Sequence, residues 1–147
     1  MNPELIHWTG PLGLPRFDLI LDQDFAPAFD TCLKLAADAV EAIAANPEPP
    51  GFDNTVAALE TAEEPLNRLC AVFYTLTGVD STPAREELQR QIAPRLAAHG
   101  SKVSMDPRLF DRVEAISQDM DGLSPEDRRL TELTLRGLRR AGAGLTG

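Results

Sequence analysis

Apolar residues recur at steps of three and four along most of the chain, and no stretch alternates with the period of two that marks a strand. Phe25, Phe29, Leu33, Ala36, Val40 and Ile43 fall on one helical face. They predict a first helix that begins after Asp22 or Asp24 and runs to about Ala45, with Pro27 tolerated in its first turn. The run Asn46-Pro47-Glu48-Pro49-Pro50-Gly51 stops it. A second helical stretch, about Asp53 to Thr77, carries the stripe Val56, Leu59, Ala62, Leu66, Leu69, Phe73 and Leu76. Pro65 lies inside that stretch and should kink or break it, at about 3 kcal/mol unless the bend is used.

Three further helices announce their own starts. Thr82-Pro83, Asp106-Pro107 and Ser124-Pro125 each place a capping side chain before a proline at the first helical position. The expected faces are Leu88, Ile92 and Leu96 in the third helix, with Pro94 interrupting it. The fourth presents Phe110, Val113, Ile116 and Met120, and the fifth Leu130, Leu133 and Leu138. Gly122 and Gly142 supply stops. The fold class is all-α, with about five helical stretches. Short connections favour a helical bundle or stacked antiparallel helical hairpins.

Residues 1–21 differ. They are Pro/Gly-rich yet carry Leu5, Ile6, Trp8, Leu12, Leu14, Phe17, Leu19 and Ile20, too apolar for a disordered tail. The expectation is an extended arm, 1–21, laid on a surface and anchored by Trp8 and Phe17, followed by a helical domain over 22–147.

At 147 residues and 16.0 kDa the chain suits one domain with a real core. Its net charge of −9 argues against nucleic acid as a partner, and no apolar run is long enough for a membrane span. The start Met1-Asn2-Pro3-Glu4 has neither a basic nor an apolar leader region, and a cytoplasmic protein is expected. Cys32 and Cys70 fall on apolar faces and read as buried free thiols.

Chemistry is scarce. The two histidines, His7 and His99, lie far apart, and no His-Glu-x-x-His, nucleophile elbow or phosphate loop occurs. Asp119-Met120-Asp121-Gly122 lacks the other ligands of a calcium loop. No catalytic, cofactor-binding or metal-ligating residue is assigned.

An ordered set of phrases does carry a resemblance. Gly13-Leu14-Pro15-Arg16-Phe17-Asp18, Asp24-Phe25-Ala26-Pro27-Ala28-Phe29 and Asn46-Pro47-Glu48-Pro49-Pro50-Gly51-Phe52-Asp53-Asn54-Thr55 come first. Leu66-Asn67-Arg68, Ile92-Ala93-Pro94-Arg95-Leu96-Ala97-Ala98-His99 and Arg140-Ala141-Gly142-Ala143-Gly144-Leu145 follow. Together they resemble the N-terminal region of bacterial peptidyl-dipeptidases and oligopeptidase A, relatives of thimet oligopeptidase among the zinc metallopeptidases. The resemblance implies a cytoplasmic, helical hydrolase of short peptides with a channel between two lobes. Its zinc would sit on a later helix bearing His-Glu-x-x-His, where the metal activates water. None of those positions occurs here, so this chain alone is expected to be inactive. Its partners would then be the remaining lobe of the parent peptidase and, through it, short peptides. Apolar surface meant for that lobe could drive self-association of the isolated chain. The alternative is a free-standing helical module that binds a protein or peptide without catalysis.

Overall fold

Helix α1 runs from Asp22 to Ala44 in the computed structural model, which describes residues 1–145. The expected face is the buried one: Phe25 and Phe29 are fully enclosed, with Ala28, Cys32, Ala36, Val40 and Ile43 behind them. Pro27 lies inside the helix rather than in its first turn, because α1 begins at Asp22 itself. The second stretch is broken as Pro65 requires. A π-helical turn, Phe52–Ala57, leads into a short α2, Ala58–Ala62, and a separate α3, Glu64–Val79, opens with Pro65 in its first turn. Helix α4 spans Pro83–Ser104 without interruption, so Pro94 is absorbed where an interruption was expected. Helices α5, Pro107–Gln118, and α6, Pro125–Ala141, complete an all-α chain, with no strand among the described residues.

The anticipated caps are in place. Thr82 Oγ1 accepts from the Arg85 N–H at 3.2 Å, Asp106 from Arg108 at 2.9 Å, and Ser124 from Asp127 at 3.1 Å. Gly142 ends α6 in the left-handed region at φ 96°. One face needs correction. Leu133 is 44% exposed, and Thr131, Leu135 and Leu138 form the buried stripe of α6.

The chain divides into two compact units, each built from two segments. The first comprises Met1–Ala37 and Glu63–Ala97. Its core centres on Phe73 of α3, met edge-on by Phe25 at 5.1 Å and Phe29 at 5.2 Å. Leu66, Leu69 and Val72 of α3 and Ile92 of α4 close around these rings. The second comprises Asp38–Ala62 and Ala98–Gly147, of which Thr146 and Gly147 lie outside the described residues. There α5 and α6 pack as a pair over Val56, with Phe110, Val113, Ile116, Leu135 and Leu138 between them. A smaller cluster joins Val40, Ile43 and Ala44 to Leu109.

The arm is not simply extended. It folds into three 3₁₀ turns, Pro3–Leu5, Pro11–Gly13 and Phe17–Leu19. Leu5, Ile6 and Ile20 enter the first core, and Trp8 packs against it beneath the Arg68 guanidinium, 5.5 Å from the ring centre. Phe17, expected to anchor, is 42% exposed. The 3₁₀ turns reverse the chain locally and send Phe17 outward, while Ile20 takes the buried place.

Within the arm, Gly13 N–H donates to Gly10 and Leu14 N–H to Pro11, with Leu12 at φ 60° and Gly13 at φ 72°. Two successive positive φ angles define a type I′ turn. Leu12 is the sole non-glycine residue with positive φ among the described residues. Holding it there costs roughly 1–2 kcal/mol.

Candidate functional site

Polar side chains converge inside the two units at a few centres. The best built belongs to Arg112, on the α5 face that also buries Leu109, Val113 and Ile116. Its guanidinium, 7% exposed, donates to four oxygens on the segment that links α1 to α2. Nη1 reaches the Asn46 carbonyl at 2.8 Å and the Glu48 carbonyl at 3.2 Å. Nη2 reaches Asn54 Oδ1 at 3.0 Å, and Nε reaches Thr55 Oγ1 at 3.2 Å. Asn54 extends the network. Its Oδ1 also accepts from the Gly51 N–H and the Thr55 hydroxyl, each at 2.9 Å, and its Nδ2 donates to the Pro49 carbonyl at 3.0 Å. All of these acceptors are neutral. The charge is offset by dipoles: the Asn46 and Glu48 carbonyls just beyond α1, the Asn54 amide oxygen and the Thr55 hydroxyl. Arg112 thereby fixes a proline-rich segment that lacks a helical ladder of its own.

A second centre lies in the arm. The buried Glu4 carboxylate accepts from the Thr9 hydroxyl, the Thr9 N–H at 3.4 Å and the Arg16 N–H at 3.0 Å. The Thr9 hydroxyl and then the Arg16 N–H hold its carboxyl below the ordinary carboxylate range. A third joins the start of α1 to the start of α4. Arg85 Nε meets Asp22 at 2.6 Å, and the Thr82 hydroxyl donates to the same carboxylate at 2.8 Å. Further out, Arg108 grips Glu41 with two bonds of 2.7 and 2.8 Å and also holds Asp106. That contact lowers both acids from their ordinary range.

The thiols of Cys32 and Cys70 are free, and burial pushes both upward, so neither is a ready thiolate. His7 is exposed in the arm and His99 half-buried in α4, in different units. No group of three or more His, Cys, Asp or Glu is close enough to hold a metal ion among the described residues.

An open cleft of about 420 Å³ between α5 and α6 is lined by Ser117, Glu132, Leu135, Arg136, Arg139 and Arg140. Glu132 is taken up by Arg129 at 3.1 Å, and Arg139 by Glu114 at 2.9 Å. Arg136 and Arg140 leave the cleft positive, able to attract a carboxylate or phosphate.

Neither Arg112 nor Glu4 stands out as a hub in the sequence. The signal for Arg112 was present: a charged residue standing at helical spacing between Leu109 and Ile116, within a buried stripe. For Glu4 there was none, since its donors come from an irregular turn.

No protein-family model matches the chain. Two curated proteins are similar to it. A dipeptidyl carboxypeptidase of Escherichia coli strain K12 is 35% identical over 147 residues, and one of Salmonella typhimurium is 34% identical over 146. These matches take in 99% and 98% of this chain but 22% of each relative. The resemblance read from the ordered phrases thus extends through the arm, both units and the Arg112-bound segment. Over essentially its whole length the chain is a sequence relative of the dipeptidyl carboxypeptidases, and it spans about a fifth of theirs.

Proposed function

We propose that this chain is the helical N-terminal part of a zinc peptidase of the dipeptidyl carboxypeptidase kind, where it builds wall and governs substrate access and takes no part in bond cleavage. The observation that carries this reading is the lopsided match: nearly all of the chain aligns with 22% of each relative. In this reading the zinc and its His-Glu-x-x-His helix belong to the rest of such an enzyme; the sequence of this chain contains no such motif. The work of the residues described here is to hold backbone. Arg112 sets the course of the Asn46–Thr55 segment, and Glu4 sets that of the arm. Rigid helical walls of this kind exclude folded proteins and admit short peptides. A cytoplasmic location goes with this reading; among the described residues no helix is long and apolar enough to cross a membrane.

The test is the size of the native gene product in its own cells, by immunoblot with an antibody against these residues. A band several times larger than 16.0 kDa is expected. A band near 16.0 kDa would overturn the reading in favour of a free-standing binding module.

A further inference from the structure

The Pro11–Leu14 turn is an expensive way to display a leucine. Leu12 is 97% exposed, so its side chain meets almost nothing in the described structure, yet its backbone is held in the left-handed region. Asn or Gly would serve the first central position of a type I′ turn without strain. Strain at a solvent-exposed apolar residue points to a use outside the fold that bears it.

The scaffold beneath the turn is closely bonded. The Gly10 N–H donates to the Leu14 carbonyl at 2.8 Å, and a Cβ on Gly10 would lie 2.6 Å from that oxygen, so only glycine permits the closure. Glu4 clasps the backbone on either side of the turn, at Thr9 and at Arg16. Beyond the turn the same segment exposes Leu14, Phe17, Leu19 and Leu21 at 42–56%. The charges among them are Arg16 and Asp18, which neutralise each other at 2.6 Å. A neutral apolar stretch is thus presented by a chain of net charge −9.

We propose that this turn and the apolar residues after it dock onto the remaining portion of a dipeptidyl-carboxypeptidase-like chain. The proposal rests on the reading above and names the surface through which it operates. The occupant follows from two observations. The curated relatives carry nearly four-fifths of their length outside the matched region, which supplies the missing surface. A second copy of this chain is disfavoured because each copy brings nine negative charges to the encounter.

The experiment compares Leu12→Asn in two settings: the 147-residue chain alone, and a chimaera in which these residues replace the matched segment of the Escherichia coli enzyme. Alone, Leu12→Asn relieves strain and should raise the thermal midpoint by about 3 °C. In the chimaera it should lower the midpoint, because an amide replaces a docked leucine. A rise of equal size in both settings overturns the proposal, since the tip then stays in water. A fall in the isolated chain also overturns it, since Leu12 would be serving its own fold. So does a dimer of the isolated chain in sedimentation that Leu12→Asn abolishes, which would make a second copy the occupant. Peptide cleavage by the chimaera with Leu12 intact separates the two levels. Loss of folding and cleavage there defeats the parent reading and this proposal with it, whereas a cleaving chimaera indifferent to Leu12→Asn defeats this proposal alone.

Discussion

A guanidinium surrounded by carbonyl and amide oxygens, as Arg112 is, leaves several acceptors stranded when it is removed. Methionine has a similar reach and no donors. Arg112→Met should therefore destabilise the chain by about 3 kcal/mol, read by urea unfolding. A loss below about 1 kcal/mol would mean that water replaces the guanidinium and that the clamp is dispensable. Glu4 gives a pH-dependent counterpart. Its folded-state pKa is depressed, chiefly by the Thr9 hydroxyl. Its stabilising contribution is therefore complete above the ordinary carboxylate value of about 4.3 and is lost as pH falls through the lower folded value. The gap in melting temperature between the native chain and Glu4→Gln should be steady near neutrality and close in acid. A gap that widens on acidification would contradict the assigned hydrogen bonds.

At the scale of the element, the first core depends on rings from α1 meeting one ring of α3. Phe29 is fully buried against Phe73, so Phe29→Ala should cost about 3–5 kcal/mol, and an unchanged melting curve would refute the assigned face. The α1 stripe was legible in the sequence because a long, regular 3.6-residue period has few competing explanations. So were the starts of α4, α5 and α6, where a capping side chain and a following proline specify the same residue. What stayed hidden depended on tertiary context. Pro94 reads as a breaker, yet α4 tolerates it on an exposed face. Leu133 and Leu135 are equal candidates by composition, and packing against α5 selects Leu135. The π-helical turn at Phe52–Ala57 has no period of its own, and it forms where Asn54 and Thr55 are bound by Arg112. Phe17 looked like an anchor because an aromatic ring in an apolar arm usually is one, but the 3₁₀ turns point it outward.

For the whole molecule, charge and donor distribution set the expected behaviour. The chain alone, dialysed against zinc, should retain no stoichiometric metal and release no dipeptides from a short peptide, and His99→Ala should change neither result. One bound zinc lost on that substitution would relocate the chemistry into this chain. The family was legible because ordered phrases spread along the sequence are hard to match by chance, whereas the bonds of Arg112 were not, because its partners are distant in sequence. That distance has a kinetic consequence. Arg112 joins residues 57 to 66 positions away, so its bonds require a long loop to close first. Such contacts are expected to form late, after most of the chain has condensed. The stability lost in Arg112→Met should therefore emerge as unfolding roughly a hundredfold faster, with refolding scarcely slowed. In a crowded cell the clamp acts as a latch on lifetime: it decides how long the proline-rich segment stays closed once folded, and hardly at all how quickly it gets there.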